Sequence, residues 1–370
     1  MTALGSTALA GRRDDARAAF NGRGLPTRRI EEWKYSDLKS ALGDDGLGEG
    51  QAVARVTVPE GVEQFDLSAP NPPAWVSDHL GRLAKNAVSD ASLAFARGGV
   101  ALRVPKGAAI EKPLTLSLSG AGHVRILLVL EEGTSLILSE TGDTAGPRNA
   151  GIEIVLAANA TLEHVRVAPA GGAVQVEEIA LSLAQGARYR AHFANFGSKL
   201  SRTELTIALE GEGAQTHLSG VSVLGGTAHA DVTTHVIHRK GDTQSTQLFK
   251  KVAAGKSRAV YQGKVTVAKG ADGADSRQTA KALLLGDQAE ADLKPELEIF
   301  ADDVKCAHGA AVGDLDADSL FYLRARGIPE AEARGLLLHA FLEDAVAEIA
   351  SEDLRERVRG EMLAALKRIA

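Results

Sequence analysis

The sequence predicts a mainly β protein. Its core is a β-helix with two main strands per rung, set between an N-terminal α-containing domain and a C-terminal helical domain. Three observations carry this. From about Gly99 to Gly313, apolar and polar residues alternate in run after run, as in TLEHVRV and VEEIALSL, which is the period of a half-buried strand. Turn sequences with glycine or asparagine recur at 107, 133, 159, 186, 213, 241 and 270, at intervals that widen from 26 to 29 residues. No helical pattern interrupts the strands before Asp316. A helix-free repeat of this length points to a solenoid or a propeller. A propeller blade needs four strands, and about 27 residues hold only two strands and their corners. A β-sandwich would explain the strands but not their spacing.

The elements follow in order. Residues 1–98 form the N-terminal domain, with Thr7–Phe20 read as one helix and Arg29–Leu42, within the stretch RRIEEWKYSDLKSAL, as another. Connections rich in Gly and Pro, NGRGLP and SAPNPPAW, separate these parts. Residues 99–313 form the β-helix, in which each turn sits between two strand-like runs, such as GIEIVLA and TLEHVRV. Stacked rungs bury a continuous ladder of Val, Ile, Leu and Ala and need a cap at each end. Residues 314–370 form the helical domain. Asp316 or Asp318 caps a helix through SLFYLRAR, Gly327 stops it, and Pro329 opens a second. That second helix carries Leu337, Leu338, Phe341, Ala345 and Ile349 at helical spacing. A third follows Ser351, with Leu354, Val358, Met362 and Leu366 along one stripe. The stripe of the second helix suits burial against the end of the β-helix, docking of a partner, or both on different faces.

Composition narrows the function. The chain has 370 residues and a net charge of −6, so its overall field does not favour nucleic acid or an anionic membrane. No apolar run is long enough to span a bilayer, and MTALGSTALAG lacks the basic start of a secretory signal. One cysteine rules out an intrachain disulfide framework and fits a reducing cytoplasm. It also rules out a self-contained cluster site of four cysteines. The sequence has no Walker-type phosphate loop, G-x-S-x-G, H-E-x-x-H or C-x-x-C. A stand-alone β-helix that binds or cleaves polysaccharide would need convergent carboxylates and an aromatic cleft. Aromatic residues make up 4% of the chain. The adjacent Asp302 and Asp303 would point to opposite faces of a strand, so they read as strand terminators. In HADVTTHVIH, His229 and His235 share a face at six residues' separation, about 20 Å, too far to hold one metal.

The stretch ADDVKCAHGAAVGDLD is different. Cys306 and His308, at i and i+2, share a strand face with Cα atoms about 6.5–7 Å apart. They can supply two ligands of four to a metal, or His308 can activate Cys306 as a nucleophile. A buried cysteine beside a turn histidine fits the pattern equally. Any metal or cluster held here needs ligands from another chain, and two copies in a homodimer would bring four.

DDVKCAHGAAVGDLDADSLFYLRARGIPEAEARGLLLHAF, together with RRIEEWKYSDL, resembles the SufB/SufD family of iron–sulfur cluster assembly scaffolds, in its SufD branch. The SufB branch carries a HEA-type sequence where this chain has CAHGAA. The resemblance implies a non-catalytic scaffold of the SUF machinery. It implies pairing with a SufB-like paralogue through the β-helix and binding of a SufC-like ABC ATPase through the C-terminal helices, around Phe321, Leu323, Gly327, Leu337, Leu338 and Phe341. It also implies a transient cluster shared at the partner interface, where His308, with Cys306 beside it, would meet a cysteine of the partner. Reduced flavin is connected with the assembled complex only, and no flavin site is legible in this sequence.

Overall fold

The computed structural model describes residues 7–43, 46–47, 50, 52–83 and 86–369, so most of the opening stretch read for a secretory signal lies outside it. Helix α1 (Thr7–Arg23) leads to a 3-10 turn (Glu31–Trp33) and a short α2 (Leu38–Leu42). Two strands, β1 (Val53–Thr57) and β2 (Glu63–Asp66), precede α3 (Ala74–His79) and α4 (Ala87–Phe95). The solenoid then runs through β3 (Gly99–Val104), β4 (Leu114–Ser119), β5 (Gly122–Leu130), β6 (Ser135–Gly142), β7 (Arg148–Leu156) and β8 (Thr161–Ala168). It continues through β9 (Val174–Leu183), β10 (Arg188–Asn195), β11 (Leu200–Leu209), β12 (Gln215–Leu224) and β13 (His229–His238). It ends with β14 (Gln244–Ala254), β15 (Arg258–Val267), β16 (Asp275–Leu285), β17 (Glu290–Ile299) and β18 (Lys305–Gly313). Helices α5 (Ala317–Ala325), α6 (Glu330–Val346) and α7 (Glu352–Ile369) follow.

Consecutive solenoid strands alternate between two nine-stranded sheets, β4 to β18 in one and β3 to β17 in the other, so each rung contributes one strand to each sheet. Pairing between rungs is parallel and in register, while β1 on β4 and β2 on β3 are antiparallel and form the outermost strands at the start. At the repeat corners, Gly107, Gly133, Asn159, Gly186, Gly213 and Gly270 take positive φ, which explains their residue types. The corner at 241 differs: Asp242 takes the left-handed conformation at φ 54°. Gly241 is needed there for close approach instead, since a Cβ would lie 2.7 Å from the Asp272 carbonyl oxygen.

Inward residues of both sheets form one core. Leu162, Phe193, Leu218 and Phe249 on one side meet Ile154, Leu181, Ile207 and Val265 on the other. Helices cover both outer faces. Val76 and Leu80 pack with Leu127, and Trp33 and Leu38 pack with Val176 and Leu200. On the opposite face, Leu338, Leu342, Val346, Val358 and Met362 pack on Val165, Val167, Val221, Val223 and Val252. The C-terminal stripe is therefore buried on the flank of the solenoid, not on its end. Its match is the row of valines that the same sheet turns outward.

Residues 29–42 are not one helix, and the reason is tertiary. The Trp33 ring lies under the Arg202 guanidinium, 3.9 Å from it. The Glu32 carbonyl accepts hydrogen bonds from Arg202 at 2.6 Å and from Gln262 at 2.9 Å. A continuous helix would spend that carbonyl on its own backbone. The Ser36 hydroxyl donates to Asp231 at 2.5 Å, and Asp37 then caps α2 by accepting from the Ser40 amide at 2.8 Å. Glu31 adds an ion pair to Lys294 on β17. This segment fastens the N-terminal domain across four successive strands of one sheet, β11 to β17.

The fastening depends on a charge pair, Arg202 with Asp231, in which neither side chain is accessible to water. Asp231→Ala leaves the guanidinium buried with Glu204 as its one remaining carboxylate, and should cost about 3–5 kcal/mol in urea unfolding. A loss near zero would mean that the clasp contributes no stability. Inside the solenoid, Lys251 is buried against the Ser222 hydroxyl, and desolvation lowers its pKa to about 8. The folded value lies below the unfolded one, so between them the unfolded chain binds the extra proton and wild-type stability rises with pH. The advantage of Lys251→Met at pH 7 should therefore shrink by on the order of 2 kcal/mol at pH 10. A pH-independent gap would contradict the burial of a charged Lys251.

Candidate functional site: the open end of the solenoid

Sheet pairing stops at β17 and β18. Each has a partner on one side and no strand on the other among the described residues. Residues of β18 are mostly exposed, and Ile299, Phe300 and Val312 stand among the large apolar side chains that water reaches. At the starting end β1 and β2 are also edge strands, but they pair antiparallel and the segment between them lays Val58 and Val62 against the core, so the two ends of the solenoid differ.

Cys306 and His308 lie on this last strand. Their ladder partners on β16 are Ser276 and Gln278, which share a face with Ala280, a residue of the interior core. Ser276 and Gln278 are themselves buried. The inward direction on β16 therefore fixes that on β18: Cys306 packs against the edge of the core, and His308 is exposed above Gln278. A further rung would bury both. Burial pushes the Cys306 thiol up, Asp275 adds to the rise, and a hydrogen bond with the Ser276 backbone offsets part of it. Cys306 thus rests as a thiol, which is opposite to the activation a nucleophile needs. Among the described residues no group of three or more His, Cys, Asp or Glu could hold a metal ion. The pair can supply a thiol and an imidazole but cannot complete a metal site.

The other sequence candidates separate from this site. Asp302 and Asp303 are exposed in the bend between β17 and β18, where the Asp303 carbonyl accepts from the Gly273 amide. The histidines of β13 serve separate partners: His229 contacts Ser36, His235 contacts Thr266, and His238 sits between Thr243 and Ser245. In the helical domain, Phe321 is 73% exposed and Gly327 is exposed, with Leu323 and Leu337 half-buried. Leu338 is 1% exposed in the joint with the solenoid and offers no free surface, while Phe341 packs half-buried at its border under the Lys250 ammonium. The face that α5 and α6 leave open is instead Phe321, Tyr322 and Leu336. Tyr322 and Leu336 escape the sequence reading because they lie off the apolar stripe.

Residues 116–341, covering the solenoid from β4 onward together with α5 and part of α6, match the family described as "SUF system FeS cluster assembly, SufBD core domain". The chain belongs to that family. It is 29% identical to the iron–sulfur cluster assembly protein SufD of Escherichia coli, over 90% of this chain and 88% of that protein. It is 26% identical to a SufBD family protein of Synechocystis, over 95% and 90%. It is 28% identical to SufD of Bacillus subtilis, over 72% and 63%. The chain is SufD-like, and its role is that of a scaffold in iron–sulfur cluster biogenesis. No helix among the described residues is long and apolar enough to cross a membrane.

The state of Cys306 can be checked directly. Alkylation of the single cysteine should show a midpoint above the ordinary thiol pKa and run slowly at neutral pH. Fast alkylation with a midpoint below that value would overturn the resting-thiol assignment.

Proposed function

We propose that this SufBD family chain is a non-catalytic, cytoplasmic subunit that holds a nascent cluster jointly with a SufB-like paralogue. The open end of the solenoid is the observation that carries the reading. It combines two unpaired strand edges, an uncovered core margin and half a ligand set on the last rung. A paralogous solenoid can meet all three needs by placing its own last rung against β17 and β18. His308 then serves as a ligand to the iron or cluster, which is cargo rather than a resident cofactor. Cys306, a thiol beside it, supports or shares that role. The same edges would let two copies of this chain pair when the paralogue is absent. Reduced flavin, if it takes part, belongs to the assembled complex.

The second contact in this reading is with a SufC-like ATPase, which supplies the nucleotide chemistry that the sequence lacks. The exposed Phe321, Tyr322 and Leu336 of α5 and α6 suit it, because water reaches these side chains while Leu338 and Leu342 of α6 are fixed to the solenoid.

Two measurements test the pair of contacts. Phe321→Asp should weaken ATPase binding by about 30-fold or more, with unfolding unchanged, since the side chain is 73% exposed. Unaltered binding would move the docking surface elsewhere. His308→Ala, co-purified with the SufB-like and SufC-like subunits and supplied with iron and sulfide, should assemble normally but lose the cluster. A fully loaded variant complex would remove His308 from the ligand set.

A further inference from the structure

Away from the open end, the solenoid carries a recess on its middle rungs. Three successive corners, at residues 170–172, 196–199 and 225–228, join β8 to β9, β10 to β11 and β12 to β13. With the last turn of α7 they border a cavity of about 670 Å³, within the range of small-ligand sites. Two glycines let its sides come together. A Cβ on Gly225 would lie 2.6 Å from the Ile369 side chain, and one on Gly197 2.9 Å from that of Ala228. The lining is chemically one-sided. Among the described residues no Asp or Glu lines the cavity, while Lys199 and Arg368 do, and neither cation has a carboxylate partner. Ser198 is 2% exposed and lines it too, yet its hydroxyl has no hydrogen-bond partner among the described residues. Buried hydroxyls are normally paired, so this one marks a place for a ligand atom. The amides of Gly172, Gly225 and Gly226 make no backbone hydrogen bond either. Phe196 and Val223, both buried, supply an apolar part of the lining.

We propose that this recess binds a small phosphate ester. The phosphate accepts from the Lys199 ammonium, the Arg368 guanidinium and the Ser198 hydroxyl, and the first two are charge-assisted bonds of the strong class. Unpaired corner amides add donors, as they do in backbone phosphate cradles. The organic part of the ester lies against Phe196 and Val223. A carboxylate can be satisfied by a single guanidinium fork, whereas donors brought from a corner and from a helix suit the more numerous oxygens of a phosphate. The carbonyl end of α7 opposes an anion, but its last turn carries Lys367 and Arg368, which offset that dipole. The site is independent of the pairing and ligand roles assigned to the open end.

The test is calorimetric titration of the full chain at matched ionic strength. The probes are phenyl phosphate, a minimal ester with an apolar body, and benzoate, a similar body with a carboxylate. Phenyl phosphate should saturate at one per chain, and benzoate should bind at least about tenfold more weakly. Lys199→Gln combined with Arg368→Gln should weaken phenyl phosphate at least about tenfold, and Ser198→Ala about threefold or more. Both cations are exposed, so the double variant should fold as wild type does. Lys240→Gln combined with Lys269→Gln, an exposed pair on other corners, should leave binding unchanged. Absence of saturable phenyl phosphate binding overturns the proposal, and so does benzoate binding of equal strength. Equal losses in the two double variants do so as well, because they would reduce the effect to overall charge.

Discussion

Each rung of a parallel solenoid relies on its neighbours to pair its backbone and to cover its interior, so the stack cannot finish itself. This chain finishes its two ends differently. At the start, β1 and β2 are edge strands that turn antiparallel, and the segment joining them lays Val58 and Val62 on the core. At the finish, β17 and β18 keep their outer edges unpaired. The C-terminal helices could have covered that edge, yet they fold back onto the flank, where outward valines give α6 and α7 a better match. Exposed edge strands invite pairing and are normally blunted. Here the edge carries Cys306 and His308, so a thiol and an imidazole sit at the same place as the incomplete sheet.

A solenoid that exposes an end must be rigid elsewhere, and the N-terminal clasp supplies this. Trp33, Ser36 and the Glu32 carbonyl converge on Arg202 and Asp231, while Glu31 reaches Lys294 on the last strand of that sheet. The sequence RRIEEWKYSDL, which contributed to the family resemblance, is thus a structural fastener that spans rungs from the middle of the solenoid to its open end. It holds β17 in place without covering its free edge.

Much of this was legible in the sequence, for a local reason. A corner that needs positive φ selects Gly or Asn, so the rungs announced themselves through Gly107, Gly133, Asn159, Gly186, Gly213 and Gly270. Alternation along the strands gave the inward faces, and from them the shared face of Cys306 and His308. What the sequence hid was tertiary. Residues 29–42 carry a helical pattern, but the partner that breaks the helix is Arg202, far along the chain. Helical spacing found the stripe through Leu338 and Phe341 but could not say that the solenoid, rather than a partner, buries it.

The central claim is that another chain completes the last rung. Amide hydrogen exchange over residues 305–313 tests it most directly, comparing the chain alone with the chain bound to its SufB-like paralogue. The account predicts fast exchange on the free side of β18 in the isolated chain and marked protection in the complex, with the α1–α2 region unchanged. A stable complex in which β18 exchanges as fast as before would contradict it.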